Sequence, residues 1–142
     1  NIHIAANSLI FGSGGRVTFR PFSSFSSLVR CYTATDDYLG SYLAGPTVPP
    51  EFKNVRSGPV RLEPCAMVAS GCLLLPNVTL HEGSVCCAHT VVTKSIPAGI
   101  ILFGNPARRI GVRDLEQLRD LRRRYLRSIG ETDRAARVGS GE

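Results

Sequence analysis

The chain has 142 residues, which suits a single domain with a modest core. With no Trp and 7% aromatic residues, that core must be built from Val, Leu, Ile, Ala and Cys. The net charge is +6, and 15 of the 17 basic residues are Arg, many of them in the C-terminal third.

Aromatic residues do not alternate with these arginines as a base-stacking surface requires, which argues against nucleic acid. No apolar run reaches the length of a membrane-spanning helix, and no secretory leader pattern opens the chain. The first residue is Asn1 rather than Met, from which a trimmed N-terminus is expected. Cys31, Cys65, Cys72, Cys86 and Cys87 show no CxxC or zinc spacing, so buried free thiols and a cytoplasmic location are expected.

Taken in chain order, the sequence has a period of six. Ile4 and Ile10 open it, with Ser8 and Gly14 at the fourth place after each. After a short insertion, Phe19, Phe25 and Cys31 continue, followed at the fourth place by Ser23, Val29 and Thr35. The clearest run is Leu62, Val68, Leu74, Leu80, Cys86 and Val92, with Ala66, Cys72, Val78, Ser84 and Thr90 as fourth-place residues. Six is neither the helical nor the simple strand period. It fits a short strand plus a sharp turn, with three units per triangular coil and the coils stacked as parallel strands around one continuous core. Six consecutive units in frame weigh against chance alternation in a β-sandwich.

Two segments interrupt the pattern. Residues 36–59 hold Gly, Pro and polar residues and are expected to project as a long functional loop. Residues 112–128 set Val112, Leu115, Leu118, Leu121, Tyr125 and Leu126 at helical spacing, with Arg113, Arg119, Arg122, Arg123, Arg124 and Arg127 on the remaining surface. That helix is expected to pack on the prism or on a neighbouring subunit. The expected organisation is therefore an all-β domain over 1–111, a C-terminal α-helix over 112–128 and a disordered tail over 129–142.

The stretch LLPNVTLHEGSVCCAHTVVTKSIPAGIILFGNPARRI, from Leu74 to Ile110, resembles the hexapeptide-repeat acyltransferases of the maltose, galactoside and O-antigen kind. The motifs that carry it occur in order. They are Leu75-Pro76-Asn77-Val78, then Val91-Val92-Thr93-Lys94, then Gly104-Asn105-Pro106-Ala107. IHIAA at the start, CYTATDDYLG and PTVPPEFKNV resemble the O-antigen branch. The resemblance covers about residues 2–112. It implies a left-handed parallel β-helix forming a homotrimer, with acetyl-CoA in grooves between prisms and transfer of acetyl to a sugar hydroxyl. A sugar or nucleotide-sugar acceptor in surface polysaccharide or O-antigen biosynthesis follows from the same resemblance. The sequence departs from the family where glycine usually follows the inward residue: Glu63, Ala69, Leu75, His81 and Cys87 stand there. Maltose-type members also carry a histidine after the Thr-Ala-Thr triplet, whereas Thr33, Ala34 and Thr35 are followed by Asp36.

Transfer to a hydroxyl needs a general base, donors for the oxyanion and a groove for the thioester. His3, matching the histidine of the family's IHIAA-like stretch, is the candidate base. His81 and His89 read as outward surface residues. Asp36 and Asp37 are candidates to orient the base or bind sugar hydroxyls, with a turn-forming acidic pair as the alternative. Tyr38 is a candidate for the acceptor pocket. For acetyl-CoA, the resemblance points to Ala88, Thr93, Lys94, Gly104, Asn105, Arg108 and Arg109. Small residues would let pantetheine approach, and the cations would meet phosphate.

The nearest alternative is an amino-sugar N-acetyltransferase, and the next a non-catalytic hexapeptide-repeat binding module. A carbonic-anhydrase-like metal site needs three convergent histidines, and the spacing of His81 and His89 puts them on different faces, so no metal is expected.

Overall fold

The computed structural model describes residues 1–131. The first coil is β1 (His3–Ile4), β2 (Leu9–Phe11) and β3 (Val17–Phe19). The second begins with β4 (Ser24–Phe25) and β5 (Arg30–Tyr32), leaves the prism through β6 (Ala34–Asp36) and β7 (Val55–Ser57), and resumes with β8 (Val60–Leu62). Next come β9 (Met67–Val68), β10 (Leu73–Leu74) and β11 (Val78–Leu80), then β12 (Val85–Cys86), β13 (Val91–Val92) and β14 (Ile100–Phe103). The chain closes with β15 (Arg108–Val112) and α1 (Leu115–Ser128).

Three ladders result, one per side of a prism. Face one is β1-β4-β9-β12-β14-β15, face two is β2-β5-β10-β13, and face three is β3-β8-β11. All pairs are parallel except β14 with β15 and, outside the prism, β6 with β7. In the later coils register partners are 18 residues apart on every face: Met67 opposite Val85, Leu73 opposite Val91, Val60 opposite Val78. Three six-residue units per coil give that spacing.

The core sits where the repeat places it. Leu62, Val68, Leu74, Leu80, Cys86 and Val92 are sealed from solvent, as are the fourth-place residues Ala66, Cys72, Val78, Ser84 and Thr90. The fourth place is thus a second inward position, two residues before the next apolar one. Ile4 and Ile10 depart from the expectation: they lie opposite Phe25 and Cys31 but are 51% and 52% exposed. Among the described residues they have a coil on one side only. Thr35 departs too, because the chain has already left the coil and paired with Arg56.

The turns explain how side chains replace the family's glycines. The left-handed residue falls three places after the inward one, not one place after it. Asn7, Phe22, Leu28, Cys65, Asn77 and His89 take φ between 58° and 65°, alongside Gly71 and Gly83. Glu63, Ala69, Leu75, His81 and Cys87 are not among the positive-φ residues. An L-residue in that region costs about 1–2 kcal/mol, which stacking of the coils must offset.

The C-terminal segment differs from the expectation at its start. Val112 closes the antiparallel β15, and the helix begins at Leu115 with Asp114 as its cap, accepting from the Gln117 N–H at 3.0 Å. The helix packs along the corner between faces three and one, where a Cβ on Gly83 would touch Leu115 and Leu118. Arg122, expected on the solvent side, points inward instead. Its side chain is 9% exposed, with Nη1 3.5 Å from Glu82 and 4.0 Å from the Cys65 sulfur. Leu121 and Tyr125 are correspondingly exposed. The expected disordered tail falls, from residue 132 onward, outside the described residues.

Candidate functional site

The projecting segment leaves the prism at the corner between faces two and three. Its base is ordered: Ala34, Thr35 and Asp36 pair antiparallel with Ser57, Arg56 and Val55. Within the projecting segment lie a short 3-10 turn at Pro50–Phe52 and a bridge between Leu43 and Lys53. The prism receives this base closely. A Cβ on Gly15 would lie 2.5 Å from the Gly58 carbonyl oxygen, and Thr33 Oγ1 donates to the Phe11 carbonyl at 3.1 Å.

Asp37 is buried at that base. Its Oδ2 accepts from Asn54 Nδ2 at 2.9 Å and from Arg56 Nη2 at 3.1 Å, and its Oδ1 accepts from the N–H groups of Leu39 and Gly40. Loss of water works against its charged form, but the donors from Asn54 and Arg56 outweigh it, so the carboxyl titrates below its ordinary range. Asp36 is half-buried, and its Oδ2 accepts from the Gly45 N–H at 3.0 Å. Tyr38 is exposed.

His3 lies on face one, exposed on the outward side of β1. In a three-sided prism that face is opposite the corner from which the loop projects. One chain therefore does not bring His3 to Asp36, Asp37 or Tyr38.

The late-coil candidates divide into two groups. Ala88 lies at the corner between faces one and two. Gly104 reaches the same corner, its N–H donating to Thr90 Oγ1 at 3.1 Å and its carbonyl accepting from Val91. Asn105 follows in a cis peptide with Pro106, and exposed Arg108 and Arg109 pair back onto Phe103 and Leu102. Thr93 and Lys94 are also exposed but sit one corner further on, after β13. Lys94, Arg108 and Arg109 form no ion pair among the described residues. His81 is exposed, and His89 stacks over Gly71 at a corner. Asn54 and Arg56, which fix Asp37, were not singled out in the sequence. They lie 17 and 19 residues beyond it, and no local pattern links them.

Among the described residues no group of three or more metal-ligating side chains could hold an ion, and no helix is long and apolar enough to cross a membrane. The thiols are free, and burial pushes Cys31 up to about 12.

A six-residue repeat wound as parallel ladders, with one excursion and a closing strand and helix, defines the hexapeptide β-helix class. The comparisons make that a family. No protein-family model matches. AntD, an N-acyltransferase from Bacillus cereus solved with dTDP and 3-hydroxybutyryl-CoA, is 31% identical with a TM-score of 0.86 over 92% of this chain and 69% of its own. The dTDP-4-amino-4,6-dideoxy-D-glucose acyltransferase of Escherichia coli is 37% identical over 82% of this chain, which spans 60% of that relative's length. A maltose O-acetyltransferase from Clostridium difficile, at 20% identity and a TM-score of 0.56, shares the fold. The chain belongs to the hexapeptide-repeat acyltransferases.

Proposed function

We propose that this chain transfers an acyl group from acyl-CoA to the amine of a nucleotide-linked amino sugar. The observation that carries this reading is the similarity to AntD and to the Escherichia coli enzyme, whose names specify N-acylation and a dTDP-linked amino-sugar substrate. They favour an amine over the sugar hydroxyl expected from the sequence, and leave the acyl group open to acetyl or a hydroxyacyl such as 3-hydroxybutyryl.

When bound, acyl-CoA supplies an activated thioester. The residues present suit it: Ala88 and Gly104 leave space for a slender chain, while Arg108, Arg109 and, one corner away, Lys94 offer cations uncommitted to carboxylates among the described residues. Thr93 and Asn105 add polar groups at the same end of the prism.

An amine acceptor must be oriented and must lose a proton as the amide forms. Asp37 is already committed to Asn54, Arg56 and two N–H groups, so its role is to fix the loop. Asp36 has one carboxylate oxygen free of such bonds among the described residues and is better suited to hold the amine. Solved AntD variants alter a serine and an aspartate ten positions apart. The same spacing separates Ser26 from Asp36 and Ser27 from Asp37. Tyr38 would border the acceptor. His3 would take the proton, and because it lies opposite the loop, it would do so for the loop of an adjacent copy. This reading includes a homotrimer of left-handed prisms with sites between copies.

The test supplies acetyl-CoA with dTDP-4-amino-4,6-dideoxyglucose or with the matching 4-hydroxy sugar nucleotide, following thiol release and product mass. Turnover with the amine alone is expected, and His3→Ala should abolish it while acetyl-CoA binding survives. Equal turnover with the hydroxyl acceptor, or no acetyl-CoA binding, would overturn the proposal.

A further inference from the structure

Arg30 interrupts an otherwise apolar column. On face two the outward residues in register are Leu9, Arg30, Leu73 and Val91. The guanidinium is held by the fold: Nη1 donates at 3.2 Å to the carbonyls of both Asn7 and Leu28. Those carbonyls belong to stacked corner residues in the left-handed region. No carboxylate pairs with Arg30 among the described residues, whereas Arg56, Arg119, Arg122, Arg123 and Arg124 all have one. Its remaining donors have no partner within the described chain, and the cation is fixed in place without being neutralised.

Two residues along the same outward side stands Tyr32, about 6.5 Å further on by strand geometry. Its ring stacks on Phe11 from the preceding coil at 4.9 Å between centroids and 19° between planes. Beyond Tyr32 the strand turns through Thr33 into β6, which carries Asp36. Along this path the chain presents a fixed guanidinium, an aromatic surface and a carboxylate.

We propose that Arg30 receives the diphosphate of the acceptor and that the Phe11–Tyr32 pair carries its hexose ring, with the amine at Asp36. This rests on the reading of the acceptor as a nucleotide-linked amino sugar. A planar guanidinium already oriented by two carbonyls suits phosphate oxygens and loses little freedom on binding them. A deoxyhexose presents C–H bonds that suit an aromatic ring. The order diphosphate, ring, amine is that of the molecule itself. Arg30 and Tyr32 are binding residues in this scheme, not catalytic ones.

The experiment measures calorimetric affinities of the wild type, Arg30→Gln, Arg30→Lys and Tyr32→Leu for dTDP, for dTDP-4-amino-4,6-dideoxyglucose and for acetyl-CoA. Thermal midpoints and acetyl-CoA affinity report on folding. Arg30→Gln should weaken both nucleotides roughly 10- to 150-fold, the size expected for lost charge-assisted hydrogen bonds. Arg30→Lys keeps the charge without the fork and should fall between. Tyr32→Leu should weaken the nucleotide sugar but not dTDP, which has no hexose. KM for the acceptor should rise with kcat little changed. Affinity of Arg30→Gln for dTDP within twofold of wild type would overturn the inference while leaving the acceptor reading standing. A wild type that binds acetyl-CoA but neither nucleotide would overturn the acceptor reading, and this inference with it.

Discussion

Gly71→Ala tests whether the corners are built as described. Gly71 has φ +70°, where an L-residue costs about 1–2 kcal/mol. The added Cβ would lie 2.6 Å from both Cε1 and Nδ1 of His89, the residue stacked on it from the next coil. His89 is exposed, so its ring can swing outward, at about 0.5–1.5 kcal/mol for leaving its rotamer. Against this, alanine restricts the unfolded chain and returns about 0.4–1 kcal/mol. The sum is a destabilisation of about 2 kcal/mol. In a His89→Gly background the steric part disappears and the same substitution should cost about 1 kcal/mol. The assay is urea unfolding of the four proteins, followed by far-ultraviolet circular dichroism at one fixed protein concentration, since association would otherwise shift the midpoint. A coupling of about 1 kcal/mol is expected from the cycle. Equal cost in both backgrounds would refute the stacking of His89 on Gly71, and a stabilising Gly71→Ala would refute the left-handed corner.

Three further outcomes are expected. Ser84 Oγ is sealed in the core with no hydrogen-bond partner among the described residues, so Ser84→Ala should stabilise the protein by about 1 kcal/mol, and an unchanged or lower urea midpoint would count against this. Asp37 titrates below the ordinary carboxylate range, so its contribution to the loop base is present above the unfolded value near 3.9 and is lost as pH falls through the native value. Amide exchange of residues 38–56 should therefore quicken in Asp37→Asn at neutral pH, and exchange as slow as wild type would show that the carboxylate does not hold the loop. Cys87 is the one cysteine that is not fully buried, and burial pushes the Cys31 thiol up to about 12. A thiol reagent at neutral pH should titrate Cys87 first in the native protein and all five cysteines in denaturant, whereas early modification of Cys31 would contradict its burial.

The period of six made the prism legible because each inward residue is set by its own six-residue unit. Leu62 to Val92 could be assigned to one core from spacing alone, and the structure buries every one of them. The motifs around Pro76, Thr93 and Asn105 pointed to the same family that the similarity to AntD supports. Spacing also suggested a helix near 112–128, because its apolar stripe repeats locally. It could not say that Val112 belongs to a strand, since β15 forms only through pairing with β14. Nor could it turn Arg122 inward, because that depends on Glu82 and Cys65, some forty and fifty-seven residues earlier.

The sequence by itself determined the coil and the core of its later turns, because repetition encodes those within six to eighteen residues, and its ordered motifs pointed to the family. Tertiary structure alone decided the rest: that Asp37 is consumed by Asn54 and Arg56, that His3 and the loop lie on opposite sides of one prism, and that Arg30 is pinned by two corner carbonyls. Each of those depends on which residues a stacked coil brings together across tens of positions, and a side chain's partner at that range is fixed by register rather than by its neighbours in the chain.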